Sequence, residues 1–221
     1  MKLLKDILFG VSIVDLLGST LVAINTVTCH SQSVKKDSLF IAIQGTKKDG
    51  NLFIKESITK GSIAVLCEKL PKETNSEITY IQVKSASKAY SIIAGNWFDQ
   101  PSENLNIIGI TGTNGKTTTA SLLHQLFENN LVKSGLISTV KISIHNKNYP
   151  ATHTTPDAWQ IQKHLSDMVK AGCKLVFIEV SSHGLVQNRV EGIRFKGGIF
   201  TNISRDHLDY HKTLDNYVIA K

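Results

Sequence analysis

"NIIGITGTNGKTTTASLL", residues 106–123, is the stretch on which the reading of this 221-residue chain turns. The apolar, β-branched run up to Thr111 predicts a strand, a glycine-rich turn follows, and "KTTTASLLHQLFENN" carries apolar residues at 122, 123, 126 and 127, the spacing of a helix. Strand, turn and helix in that order build a phosphate site. The backbone amides of Gly112, Thr113, Asn114, Gly115 and Lys116 can wrap an anion, because glycine lets the chain turn tightly with no Cβ in the way. Lys116 is placed to meet the β- and γ-phosphates of ATP and the Thr117 hydroxyl to bind Mg²⁺, with Thr118 next in the helix, whose positive dipole end faces the anion. The common G-x-x-x-x-G-K-[ST] loop needs glycine at 110; here that residue is Ile110, and the glycines stand at 109, 112 and 115. A turn that binds nothing is the plain alternative, and a G-K-T at a strand–helix junction argues against it.

Working outward, "DAWQIQKHLSDMVKAG" predicts a helix ending at Gly172, "CKLVFIEV" a buried strand, and "GGIFTNI" another strand followed by "SRDHLDYHKTLDNYVIAK". Upstream, "LFIAI" (39–43), "SIAVLCE" (62–68) and "TYIQVK" (79–84) read as strands, and "NLFIKESITKG" and "SASKAYSIIAGNWF" as helices. Strands alternating with helices imply an α/β fold with mostly parallel sheets. The polar stretch "DQPSENLN" (99–106) with Pro101 breaks the pattern, so the expected organisation is a small α/β domain over 1–99, a linker over 100–106 and a phosphate-loop domain over 107–221.

Composition narrows the classes. A hydrophobic content of 41% suits a buried core, and the cysteines, Cys29, Cys67 and Cys173, lie too far apart for a C-x-x-C zinc or redox motif, which fits a cytoplasmic protein. The net charge of +7 admits an anionic partner, but the lysines are scattered, without a basic block or interleaved aromatics, so nucleic acid is not the expected partner. The start "MKLLKDILFGVSIVDLL" has Asp6 and Asp15 around a short uncharged run and no cleavage site, and nowhere do about 18 apolar residues run together, so neither secretion nor membrane spanning is expected.

The pattern G-x-x-G-T-N-G-K-T resembles the phosphate loop of the Mur ligase family, ATP-dependent peptide-bond formers of cell-wall precursor synthesis. Two further stretches resemble the branch that adds the third amino acid: "FIEVSSHGLVQNRVEGIRFKGGIFTNISRDHLDYHKTLDNYVIAK" (177–221) and "HSQSVKKDSLFIAIQGTKKDGNLFIKESITKGSIAVL" (30–66). The resemblance covers nearly all of the chain. It implies an N-terminal uridine-nucleotide-binding domain followed by the first half of an ATP-binding domain, with ATP, two Mg²⁺ ions, UDP-MurNAc-L-Ala-D-Glu and a diamino acid, meso-diaminopimelate or L-lysine, as ligands of a monomer. Family members have three domains, so the C-terminal amino-acid-binding domain is expected to be lacking, and the isolated chain to fold incompletely and to be inactive. A folate polyglutamylating enzyme is the nearest alternative, disfavoured by Thr117-Thr118 after the lysine; a non-catalytic nucleotide-binding module is the other.

Residue by residue, Glu179 ends the strand "LVFI", where open α/β sheets place ligands, and beside a phosphate loop a metal role outweighs that of a surface carboxylate. By resemblance Ser181, Gln187 and Arg189 contact the anionic substrate, Arg189 being suited to bidentate recognition. Ser181-Ser182-His183, taken as a strand continuation, gives no hydrolase triad, because neighbours on a strand face opposite ways. Thr154 and Thr155 are implied substrate contacts, or helix-capping hydroxyls before Pro156, or both; His153 replaces the usual Asn and stays outside the site. His207 is implied as a ligand of the second Mg²⁺, with Asp206 and Asp209 as supporting groups or helix caps. Lys221 matches the place where Mur ligases carry a lysine carbamylated by CO₂ (N6-carboxylysine), a cation turned into a two-oxygen anion that can sit beside Mg²⁺; otherwise it is a solvated, mobile terminal lysine. Ser31 matches a substrate serine flanked by His30 and Gln32 where the family carries Asp and Arg, and Lys47 or Lys48 in "QGTKKDG" is a substitute for that arginine.

Overall fold

The computed structural model describes residues 1–45 and 49–221, so Lys47 and Lys48 lie outside the described residues. The chain divides into two units, Met1–Trp97 and Phe98–Lys221.

In the first unit β1 (Lys2–Leu3) leads into α1 (Leu4–Ile7), β2 (Ile13–Leu17), β3 (Ala23–Ile24), β4 (Thr26–Thr28), β5 (Ser38–Ile41), α2 (Ile54–Thr59), β6 (Ser62–Cys67), β7 (Thr79–Val83) and α3 (Ala86–Trp97). Strands β4, β5, β6 and β7 run parallel in a five-stranded sheet whose edge strand β2 is antiparallel to β7, while β1 and β3 make a separate two-stranded ribbon. The β5 and β6 side chains alternate between two buried faces: Phe40, Val65 and Cys67 pack with Ile54 of α2, and Leu39, Ile41, Ala64 and Leu66 fill the other side.

The second unit comprises β8 (Asn106–Thr111), α4 (Lys116–Asn129), β9 (Ser134–Ile137), β10 (Lys141–Ile144), β11 (Lys147–Pro150), α5 (Ala158–Lys170), β12 (Leu175–Glu179), α6 (Ser182–Val186), β13 (Gly197–Phe200), α7 (Leu208–His211) and α8 (Leu214–Ala220). Its sheet runs β11-β10-β9-β12-β8-β13, with β9, β12, β8 and β13 parallel and the β10–β11 hairpin antiparallel at one edge. Strand β12 is buried on both faces: Val176 and Ile178 meet Ile161, Leu165 and Met168 of α5, whereas Phe177 meets Ile110, Leu136 and Ala120 of α4. Burying side chains of this size is worth about 1.5–3 kcal/mol each. Residues 101–104 form a 3₁₀ turn with Pro101 and Ser102 buried, and it packs against α5.

The helical spacing read for α4 is met only in part. Leu123 and Phe127 pack on the sheet, while Leu122 and Leu126 are 60% and 56% exposed. Ala120 and His124 take the buried positions where α4 packs across the sheet, chiefly on β12 and β9.

Candidate functional site

All four parallel strands of the second unit deliver their carboxyl ends to one edge. Register pairs Thr111 with Phe200, Ile110 with Glu179, and Ile178 with Ile137, so the segments after β8, β13, β12 and β9 open on the same side.

Ile110 is fully buried in the core beneath α4, which accounts for its place in the loop pattern. Gly109 faces the other way, and a Cβ there would lie 2.9 Å from the Phe195 ring. Gly112 turns the chain at φ +140, and a Cβ on it would fall 2.0 Å from Thr201 Oγ1. The loop is fastened to the segment after β13: Thr113 N donates to Asn202 O (2.9 Å) and Asn114 N to Asn202 Oδ1 (3.0 Å), while Thr201 Oγ1 donates to Asn114 O (2.6 Å). Gly115 caps α4 in the left-handed region, and the first-turn amides, Lys116, Thr117 and Thr118 among them, stand where an anion docks. Lys116 Nζ donates to the carbonyls of Gly112 and Thr113, both at 2.8 Å; burial draws its pKa below the ordinary value, with Glu179 and Asp206 opposing.

Glu179 is fully buried. Its Oε2 accepts from Thr117 Oγ1 at 2.9 Å and lies 3.3 Å from Thr139 Oγ1, and its Oε1 accepts from Thr139 N at 2.9 Å. Among the described residues no cationic side chain forms an ion pair with it. A buried carboxylate held only by neutral donors is completed by a cation, and with the Thr117 hydroxyl it offers the hard oxygen donors that Mg²⁺ takes. Thr117 and Glu179 therefore fit one magnesium ion.

The residues of this unit expected to contact substrate lie near Glu179, with two corrections. Ser181 does not continue the strand: it caps α6, its Oγ accepting from Gly184 N at 3.1 Å, so Ser182 and His183 open a helix, and Ser182 Oγ meets His211 Nε2 at 2.9 Å. Helix α5 is capped by Asp157, whose carboxylate accepts from Gln160 N at 3.1 Å, and not by the threonine hydroxyls. Thr155 is 1% exposed, with its hydroxyl donating to Glu179 O (2.8 Å) and accepting from Ser181 N (2.9 Å). Arg189 donates through Nε to Gln187 Oε1 at 3.0 Å and through Nη1 to the Thr155 carbonyl, which joins Arg189, Gln187, Thr155 and Ser181 in one network; Thr154 enters through Thr139, 3.0 Å away. In the first unit Ser31 begins a 3₁₀ turn just after β4, at the carboxyl end of the parallel strands.

His207 sits in the left-handed region at the start of α7, exposed, with its ring 5.0 Å from that of His183 and its Nε2 3.6 Å from Asp206 Oδ2. Among the described residues no three His, Cys, Asp or Glu side chains form a metal cluster, so the second magnesium does not follow from this geometry. Lys221 is not a solvated end: its Nζ donates to Gly112 O at 2.7 Å and Thr111 Oγ1 at 3.2 Å. Burial, and then the Lys116 charge, bring its pKa down to about 8. Tyr217, 1% exposed, places its hydroxyl 2.9 Å from Thr113 Oγ1 and so ties α8 to the loop. Sequence reading passed over Thr139, Asn202 and Tyr217; for the first two the available signal was their position after parallel strands.

A model of the Mur ligase middle domain matches residues 110–221, more than half of the chain, and one of the Mur ligase family catalytic domain matches residues 23–96. The chain belongs to the Mur ligase family. Among Mur ligases it is 50% identical over 219 residues to the UDP-N-acetylmuramoyl-L-alanyl-D-glutamate–2,6-diaminopimelate ligase of Cytophaga hutchinsonii, covering 99% of this chain and 45% of that protein. The ligase of the same name from Bacteroides thetaiotaomicron is 45% identical over the same shares. A solved structure of a 2,6-diaminopimelate ligase of this kind superposes with a TM-score of 0.79 at 26% identity, covering 99% of this chain and 44% of that one. The chain thus spans less than half the length of these three ligases. Among the described residues no helix is long and apolar enough to cross a membrane.

Proposed function

We propose that this chain carries the uridine-nucleotide-binding and ATP-binding parts of a cytoplasmic, monomeric ligase that adds meso-diaminopimelate, with L-lysine as the alternative, to UDP-MurNAc-L-Ala-D-Glu in peptidoglycan precursor synthesis. The observation that carries the reading is the buried Glu179, whose carboxylate accepts from the Thr117 hydroxyl of the phosphate loop at 2.9 Å. The names of the related ligases support the choice of substrates.

In this reading the D-glutamyl carboxylate takes the γ-phosphoryl group of ATP, and the amine of the diamino acid displaces phosphate from the acyl phosphate to leave the amide, ADP and phosphate. The loop amides of Gly112 to Lys116 hold the phosphates, and Lys116 exchanges its two carbonyl partners for phosphoryl oxygens, offsetting charge where it develops. Magnesium, held by Thr117 and Glu179, would supply further neutralisation of those oxygens. Arg189, positioned by Gln187 and Thr155, and the half-buried Thr154 and Ser181 orient the anionic peptide. In the first unit Ser31 contacts the uridine nucleotide. Lys221, with its pKa lowered to about 8, carries a larger neutral fraction than an ordinary lysine, and a neutral amine is the form that adds CO₂. Carbamylation there reverses its charge and removes its repulsion of Lys116.

Calorimetry tests the reading. Both Mg·ATP and UDP-MurNAc-L-Ala-D-Glu are expected to bind and a folate not to bind; binding of ATP alone would leave only a nucleotide-binding module.

A further inference from the structure

We propose that Thr139 is a positioning residue that holds the Glu179 carboxylate in register for the metal and links it to Thr154, an inference that rests on the ligase reading above. Thr139 sits in the turn between β9 and β10, and that turn is pinned by its neighbour: Ser138 N donates to Lys141 O at 3.1 Å and Ser138 Oγ to the same carbonyl at 2.9 Å. From this fixed turn Thr139 presents two groups to one carboxylate, its N–H to Oε1 at 2.9 Å and its hydroxyl to Oε2 at 3.3 Å. Together they define the carboxylate plane, which the Thr117 hydroxyl alone, on Oε2, leaves free to rotate.

Proton accounting sets the direction of the chain. The Thr139 hydroxyl lies 3.0 Å from Thr154 Oγ1 as well as 3.3 Å from Glu179, and it has one hydrogen. In both contacts the Thr139 hydroxyl is the donor, so its single hydrogen is shared between Thr154 Oγ1 and Glu179 Oε2. The hydroxyl of Thr154, a residue placed toward the peptide substrate, is thereby two hydrogen bonds from a metal-side oxygen. A substrate group that donates to Thr154 Oγ1 displaces the Thr139 hydrogen from it and leaves that hydrogen to Glu179, so peptide binding and metal binding are coupled through a side chain that touches neither ligand.

The test is a magnesium titration of ATP binding by the full 221-residue chain, read by calorimetry beside a titration of ATP in chelator. Thr139→Val and Thr139→Ala both remove the hydroxyl and keep the backbone N–H, the second without adding a methyl to the turn, so one folded variant suffices. The expected result is a rise of about tenfold in the magnesium concentration at half-effect, unchanged ATP binding in chelator, and a return to the parent value in Thr139→Ser; outer-shell partners of this kind are worth about 10–100-fold in metal affinity. A folded Thr139→Val or Thr139→Ala with the parent magnesium midpoint overturns the assignment, as does a Thr139→Ser variant that fails to restore it. Failure of the parent chain to bind Mg·ATP at all strikes the ligase reading itself.

Discussion

Two ammonium groups meet at the phosphate loop, Lys116 on the carbonyls of Gly112 and Thr113 and Lys221 on that of Gly112. The unmodified Lys221 amine, with its pKa near 8, is part-neutral at the upper end of the physiological range. A phosphate arriving between the two lysines favours the charged form and raises that pKa. A group whose pKa is higher in the complex than in the free protein is taken up as a proton on binding, so ATP affinity is greatest below about pH 8 and falls as pH rises through it. ATP binding at pH 8 is therefore expected to show an enthalpy that varies with the ionisation heat of the buffer. That variation should be lost in Lys221→Gln and reduced by bicarbonate, which converts the amine to its carbamate. At this scale the sequence was partly legible. Lys116, Thr117 and Glu179 stand in patterns whose chemistry needs those residue types, whereas Tyr217 and Thr139 act through contacts 104 and 40 residues away in sequence, which no local pattern records.

Among the elements, the strand–loop–helix of β8 and α4 follows directly from its sequence, because a β-branched run, glycines and a helical period each have a local cause. The start of α6 did not, since "VSSHG" fits a strand end until the Ser181 hydroxyl is seen to cap Gly184. The β10–β11 hairpin is marked by little beyond short alternating runs around His145-Asn146, and its pairing with β9 is a tertiary choice. The loop supplies a paired test. Gly112→Ala places a Cβ on Thr201 Oγ1 at a φ that side chains rarely adopt, whereas a Cβ at Gly198 meets only Gly109 O at 3.7 Å. Gly112→Ala is expected to destabilise the chain by at least 1–3 kcal/mol and abolish ATP binding. Gly198→Ala should leave both within about 0.5 kcal/mol of the parent in chemical denaturation and calorimetry.

For the whole molecule, the α/β class was readable from alternating strands and helices, while the order of strands in each sheet came only with the structure, since parallel neighbours such as β8 and β12 are separated by a crossover. The +7 charge belongs to this scale, for its lysines are spread along the chain. ATP and a uridine diphosphate sugar are both anions, so long-range attraction should speed their association. With a screening length near 10 Å at 0.1 M ionic strength, raising salt several-fold is expected to slow association of either ligand and leave dissociation nearly unchanged, as read by stopped-flow fluorescence. Equal salt effects on both rates would place the attraction in the bound contacts instead.

The back-to-back packing of Gly109 and Ile110 also sets how far the loop can change. Converting this loop to the common spacing requires glycine at 110, which empties a filled position under α4, and if position 109 acquires a side chain in the same change it drives into Phe195. Each single step is a loss that the other does not repair, and only repacking of both faces of β8 together makes the exchange neutral. Exchange of one loop spacing for the other is thus resisted by packing on both faces of β8. The offset glycine is held in place by the Phe195 ring on the face of the strand away from α4.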